Sequence, residues 1–521
     1  MKNISKKWKR ILAAVLLVSA LALTTGCGGE AKPDGDTMVY GSQDYTVINP
    51  ALYEHGEINL LIFAGLTAHD ADNNVVPGLA EKWSYDKGAK TWTFRLRKNL
   101  TFHDGEPLTS ADVKFTLESI LDEKNGSEIV SNYADIKKIS CPDARTVKIQ
   151  LKEENVGFPE YMTIGILPKH LLEGKDLTTD EFNQKPVGAG PYKLTEWDEG
   201  QSITLERFDG YYAGKANIPK IIFKIVPDSA TRLLQLESGD LDMAQLTPKD
   251  GKALMKKDSD CSVYEMDTAD YRAIAYNFAG SKLFKKYPEL ANILSYGIDR
   301  QAILKSVLLG EGEIGYSPIQ KNPFNDSSIE KFNYDPAKMK SLLEQDGWKK
   351  NKDGWYEKDG TELKFTIAAM SDDQVRVDMA NMCAEQLKKE GINATAENRK
   401  ELDWAGQDAC IIGWGSPFDA DDHTYKVFTT GAGDNYTGYS NADVDRALEA
   451  ARSTDDNSLR KQYYSTFLHS MTEQMPFTYI AYIKANYGVN KAVKGVDKNV
   501  VLGHHGVGIF WNVADWRKLE R

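Results

Sequence analysis

Leu363-Lys364-Phe365-Thr366-Ile367, then the segments Val375 to Leu387 and Ile392 to Ala396, then Ala409-Cys410-Ile411-Ile412, make up the stretch whose reading decides the fold. The first five residues alternate apolar and polar as a half-buried strand does, and Val375 to Leu387 carries its apolar residues at helical spacing. Ile392 to Ala396 then reads as a following strand. A strand–helix–strand succession calls for a parallel pair with the helix laid on one face. Ala409 to Ile412 is a short unbroken apolar run, the pattern of a strand buried on both faces. It empties into Gly413-Trp414-Gly415-Ser416-Pro417-Phe418-Asp419-Ala420-Asp421-Asp422-His423, a loop with two large aromatic residues, three acids and a histidine. Ligands of open α/β sheets gather at the carboxyl ends of strands, so this loop is the first candidate for a site.

Outward from there, strand and helix signals alternate along the chain, which predicts a mixed α/β architecture. Thr91-Trp92-Thr93-Phe94-Arg95-Leu96-Arg97 alternates large apolar with polar residues. Thr109 followed by Asp112 has capping-box spacing and opens a predicted helix with Val113, Leu117, Ile120 and Leu121 on one face. Asp335-Pro336 supplies an N-cap and first-turn proline to a helix carrying Met339, Leu342 and Leu343, which Gly347 ends. Asp299 starts another through Ile303, Leu304, Val307 and Leu308. No period of about twenty to fifty residues recurs, against a repeat architecture.

The 521 residues carry 64 Lys and Arg against 76 Asp and Glu, a formal net charge of −12. At roughly 150 residues per domain the length suggests about three units, with core enough to fold without disulfide or metal staples. The acidic balance argues against nucleic acid as a partner, because phosphate neutralisation takes clustered cations. Lys2, Lys6, Lys7, Lys9 and Arg10 precede a thirteen-residue apolar run from Ile11 to Leu23. A membrane span takes about 20 residues, so this run suits the h-region of a signal peptide instead. Leu23-Thr24-Thr25-Gly26-Cys27-Gly28-Gly29 follows and resembles a bacterial lipobox, with Thr24 where leucine is usual. The resemblance implies a lipoprotein signal peptide over 1–26, a lipid on Cys27, and a tether over 27–36 holding an extracytoplasmic body to the membrane. Loss of 1–26 removes five cations and no acid, leaving 59 basic and 76 acidic groups, net −17.

The other cysteines, Cys141, Cys261, Cys383 and Cys410, are far apart and lie within apolar runs, so buried free thiols are expected and a zinc ribbon is excluded. Gly310-Glu311-Gly312-Glu313-Ile314-Gly315 fits GxGxxG by letter but follows a helix rather than a strand, which removes the dinucleotide reading. No Walker loop, HExxH or GxSxG elbow occurs. No catalytic residue and no cofactor are expected.

Several further runs occur in one order: Val76-Pro77-Gly78-Leu79-Ala80-Glu81-Lys82-Trp83, Trp92 to Arg97, Phe102-His103-Asp104-Gly105 on to Leu108-Thr109-Ser110-Ala111-Asp112-Val113, Pro186-Val187-Gly188-Ala189-Gly190-Pro191-Tyr192, Ser238-Gly239-Asp240-Leu241-Asp242, Tyr296-Gly297-Ile298-Asp299-Arg300 and Tyr334-Asp335-Pro336. Together they resemble the family 5 solute-binding proteins of ABC importers, the peptide and nickel group. The resemblance implies an α/β, two-lobed periplasmic-binding-protein fold with a discontinuous lobe I (37–68, 183–268 and 484–521), an extra strand-rich subdomain (69–182) and lobe II (269–483). Hinges are expected near Tyr271–Asn277 and Tyr479–Tyr487. It also implies capture of a small solute between the lobes for an ABC permease and its ATPase subunits, with no chemistry done by this chain.

In peptide-binding relatives an aspartate shortly after the Gly-Trp strand end pairs with the ligand's α-amino group. The matching residue here is Asp419, with Asp421 and Asp422 as rivals, and short peptides are the leading ligand class. Nickel or a metal chelate, as cargo rather than cofactor, is the alternative. His55 lies in an early lobe I loop, His504 and His505 form a glycine-flanked pair, and His423 follows the lobe II loop. Neutral imidazole suits nickel, zinc and copper. His55, His504 and His505 are therefore candidate metal ligands, although adjacent residues of an extended strand point apart, so only one of the pair is expected to reach a metal. Trp414, Tyr436 and Tyr439 are candidates to stack on or wall the ligand. A metal-dependent hydrolase using these histidines is the least favoured reading.

Overall fold

A computed structural model describes residues 36–53, 56–403 and 406–520; the signal segment, Cys27 and His55 lie outside the described residues. Lys364–Met370 and Asn393–Arg399 form the expected parallel pair, in register from Lys364 with Asn393 to Met370 with Arg399. Helix Gln374–Lys389 joins them, opened by Asp373, whose Oδ1 accepts the Arg376 N–H at 3.1 Å. Ala409–Trp414 lies parallel on the other side of Lys364–Met370.

These three strands are one end of an eleven-stranded sheet. It continues through two long strands, Cys261–Tyr276 and Phe477–Asn490, to Met243–Leu246, Thr37–Ser42, Lys220–Ile225, Ser202–Arg207 and Tyr192–Asp198. The long strands pair antiparallel from Cys261 with Asn490 to Ala275 with Phe477, with one large interruption: Asp267 pairs with Lys484, and the next pair is Tyr271 with Tyr482. Thr268, Ala269 and Asp270 therefore stand against Ile483 alone. The apolar core changes at the same place. Tyr271, Ile274, Tyr479 and Tyr482 belong to one buried cluster, whereas Met266, Ala485 and Tyr487 belong to another. An interruption of this kind bends the strand and increases its local twist. It adjoins the stretch 271–277 and lies inside 479–487, where hinges were expected.

A second, antiparallel sheet has the order Ala80–Asp86, Thr91–Leu96, Thr146–Leu151, Ile136–Asp143. In Thr91–Leu96 the alternation is realised, with Trp92, Phe94 and Leu96 buried and the residues between them only partly so. Helix Ser110–Leu121 buries Val113, Leu117 and Ile120 and begins with a closed capping box, the Thr109 N–H donating to Asp112 Oδ2 at 2.8 Å. Leu121, its last residue, is only half-buried. Asp335 caps Pro336–Gln345 and Asp299 caps Arg300–Ser306; the latter ends short of Leu308 as the chain turns through left-handed Leu309. His103 proves structural: Nε2–H donates to the Gly190 carbonyl at 3.1 Å and Nδ1 accepts the Gly188 N–H at 3.2 Å.

Cys383 and Cys410 are buried free thiols, Cys261 is buried and Cys141 is half-buried; burial pushes Cys383 and Cys410 up to about 12, which makes them poor nucleophiles. Among the described residues no helix is long and apolar enough to cross a membrane. Phe94 is fully buried in the smaller sheet. Phe94→Ala is expected to destabilise that unit by about 3–5 kcal/mol in urea unfolding, against less than about 0.5 kcal/mol for Thr93→Ala.

Candidate functional site

The loop after Ala409–Trp414 is fixed by glycine and by its own side chains. Gly415 has φ +133°, and a Cβ there would run into the Ala269 carbonyl oxygen, so only glycine lets the loop lie on the interrupted strand. His423 Nδ1 accepts the Gly415 N–H at 3.1 Å. Trp414 stacks on Tyr436 with ring centroids 5.6 Å apart and planes 18° apart, and its ring lies 6.4 Å from that of His423. The opposing wall is the turn at 503–508, whose His504 N–H donates to the Gly415 carbonyl at 3.2 Å. The fold thus gathers Trp414, His423, Tyr436, His504 and His505 in one place.

The histidine pair is not in an extended strand. His505 adopts φ 54°, which turns the chain and brings the two rings to 3.8 Å between centroids instead of sending them apart. His504 Nδ1 lies 2.9 Å from Asp270 Oδ1. Burial opposes a charge on Asp270, which is only 2% exposed, but Arg272 and His504 beside it hold its carboxyl well below the usual range. A carboxylate only accepts, so Nδ1–H donates and Nε2 is the lone-pair nitrogen. Burial also keeps this imidazole neutral, pushing its pKa down to about 4 against the pull of Asp270. Among the described residues no group of three or more His, Cys, Asp or Glu could hold a metal ion.

The loop carboxylates are placed differently from expectation. Arg460, on helix Asn457–Glu473, donates through Nη1 and Nη2 to both oxygens of Asp419, at 2.7 and 2.6 Å. The ammonium role implied for Asp419 is therefore already filled by a guanidinium of the same chain. Asp421 accepts the Tyr161 hydroxyl at 3.0 Å and pairs with Arg452 at 3.1 Å. Arg452 in turn reaches Asp135 at 3.0 Å, and Lys426 Nζ donates to Asn132 at 2.9 Å, pinning this region to the smaller sheet's unit. Tyr439, expected to wall the ligand, is 1% exposed and packs in the apolar core. Asp422 alone of the three acids faces a cleft of about 200 Å³, which Glu57, Glu160, Tyr161, Phe418 and Val507 also line.

Sequence reasoning missed the charged residues behind this surface. Arg272 and Arg376 are 3% and 7% exposed, and Arg376 Nε lies 3.0 Å from Asp373. The available signal was Asp270 and Arg272 inside a strand otherwise continued by Ala273, Ile274 and Ala275, because charges are buried only when paired. His69 and Glu160 were also missed: the His69 ring stacks on Phe418 at 3.7 Å, and its Nε2 lies 2.7 Å from Glu160 Oε2.

Comparison with known proteins follows the same lines. Residues 74–436 match the family described as bacterial extracellular solute-binding proteins, family 5 Middle. The oligopeptide-binding protein AppA of Bacillus subtilis is 29% identical over 553 residues, covering 98% of this chain and 99% of that protein. The crystal structure of NikZ from Campylobacter jejuni in complex with Ni(L-His) matches with 34% identity and a TM-score of 0.86, over 93% of this chain and all of that one. The B. subtilis AppA structure with a nonapeptide matches with 28% identity and a TM-score of 0.82, over 94% of this chain and all of that one.

Two outcomes are expected. Arg460→Met takes the guanidinium from half-buried Asp419, which keeps only the Asp421 N–H at 2.9 Å, and should cost about 1.5–3 kcal/mol in urea unfolding, most of it recovered in the Asp419→Asn/Arg460→Met double variant. Burial pushes Glu57 and Glu160 up from 4.5 to about 7. A group that holds its proton more tightly when folded stabilises the fold below its unfolded value and loses that contribution as pH rises through its folded value. The two should make unfolding free energy fall as pH rises from 4.5 to 7, and Glu160→Gln should flatten that slope; a slope equal to the parent's counts against the assignment.

Proposed function

The chain belongs to the family 5 bacterial extracellular solute-binding proteins, which are non-catalytic, and from that premise we propose that it serves an ABC importer as the receptor for a small nickel chelate of the nickel–histidine type. The hydrolase reading falls with the family. One observation carries the proposal: His504 has a neutral imidazole whose Nδ1 is held by a carboxylate, the arrangement typical of a metal-ligating histidine, with the His505 ring 3.8 Å away and tilted at 47°. Among the described residues no group of three donors gathers here, so the metal would arrive with donors of its own, as a chelate does. The structure of 34% identity was solved with Ni(L-His).

In this reading lobe I (37–68, 183–268 and 484–521) and lobe II (269–483) close on the chelate about the two long strands, with His55 as a further metal ligand from lobe I. Closure is driven by contacts that only the closed state makes on both sides of the guest. Cys27 carries the lipid, and a permease with its ATPase takes the guest onward. Short peptides are the second reading, supported by the full-length similarity to AppA; the engagement of Asp419 by Arg460 weighs against it.

Native mass spectrometry with metal analysis on the purified mature protein decides between them. The expected result is one nickel and one small chelator per chain, lost in the His55→Ala/His504→Ala/His505→Ala variant. A ladder of co-purified peptides and no metal would overturn the proposal in favour of the second reading.

A further inference from the structure

The interruption between the long strands is also where His504 is held. Thr268 to Asp270 leave the ladder opposite Ile483, yet their backbone does not go unpaired. The Ala269 N–H donates to the Leu502 carbonyl at 2.8 Å, and the Leu502 N–H donates to the Asp267 carbonyl at 2.9 Å. Thr268 Oγ1 donates to the Ile483 carbonyl at 2.6 Å and accepts the Asp270 N–H at 3.0 Å. The strand thus exchanges one partner for the segment that enters the histidine turn, two residues before His504. The same exchange takes Asp270 out of the regular ladder, with its Oδ1 2.9 Å from His504 Nδ1 and in contact with Arg272 Nη1. Bulges next to functional sites commonly re-aim a side chain in this way.

We propose that Asp270 is a positioning residue for ligand capture: it fixes the tautomer and ring orientation of His504, and the strand interruption serves to aim it there. The inference rests on the reading of His504 as a ligand contact. The bland account of Asp270 is a counter-charge for Arg272 alone, and the two accounts differ at His504. A counter-charge has no bearing on which imidazole nitrogen carries the hydrogen. A positioning carboxylate dictates it, because its oxygens can only accept.

The test compares wild-type, Asp270→Asn and Asp270→Glu proteins, full chain, with imidazole-labelled histidine. Long-range ¹H–¹⁵N NMR of the metal-free protein reads the His504 tautomer, and titration with Ni(L-His) reads affinity and the nickel absorption bands. The expected result is a Nδ1–H tautomer in wild type, a mixed or inverted one in Asp270→Asn, and affinity lower by roughly 10–100-fold with shifted bands. Asp270→Glu keeps a carboxylate, so it should keep the tautomer with a smaller affinity loss, and it carries the test if the asparagine variant does not fold. An unchanged tautomer and unchanged affinity in Asp270→Asn overturn the proposal. If wild type does not bind Ni(L-His) while the tautomer still follows residue 270, the functional reading fails and the positioning role stands.

Discussion

Two strands carry this chain between two apolar cores, and the structure depends on how their ladder is broken. Buried backbone N–H and C=O groups must be hydrogen-bonded, so a strand cannot simply skip three residues between cores. Here the released groups are taken up by Leu502 and by the Thr268 hydroxyl. That solution has a geometric by-product: it joins the break in one strand, the 503–508 turn and the loop that lies on Ala269 at Gly415. Three segments remote in sequence meet because the same few backbone groups need partners.

The charges around this junction follow a second constraint. Taking ions out of water costs several kcal/mol each, and a buried pair seldom repays more than that cost. Asp419 with Arg460, Asp421 with Arg452, and Asp270 with Arg272 are therefore best understood as devices that fix arrangement rather than as sources of stability. The first two hold a loop residue against a distant helix, and the third joins two residues of one strand at its interruption. Arg452, shared by Asp421 and Asp135, does this across the seam with the smaller sheet.

The elements were legible in the sequence wherever a short-range pattern specifies them. Alternation located Thr91–Leu96, capping chemistry located the helices begun by Thr109, Asp299 and Asp335, and the apolar run at Ala409 pointed to the loop that follows it. What could not be read was pairing at a distance. Nothing in the loop announces that Asp419 belongs to Arg460 on a later helix, or that a ladder breaks opposite Ile483. The histidine pair is an intermediate case. Gly503 and Gly506 on either side of it were a turn signal, and giving that signal more weight than the extended alternative would have brought the rings together. Tyr439 shows the opposite limit, since an aromatic residue near a site looks the same in sequence whether it faces solvent or core.

The Gly415 contact has an evolutionary reading. The main-chain contacts of this junction, Ala269 with Leu502 and His504 with Gly415, make no demand on side chains beyond the glycine where Ala269 presses on the loop. Position 422 can therefore change identity while the scaffold beneath it stays put, whereas 505, at φ 54°, is limited to residues that tolerate left-handed backbone. A lineage built this way can trade one cargo for another by point substitution, which is a plain physical route by which one architecture comes to serve many diets.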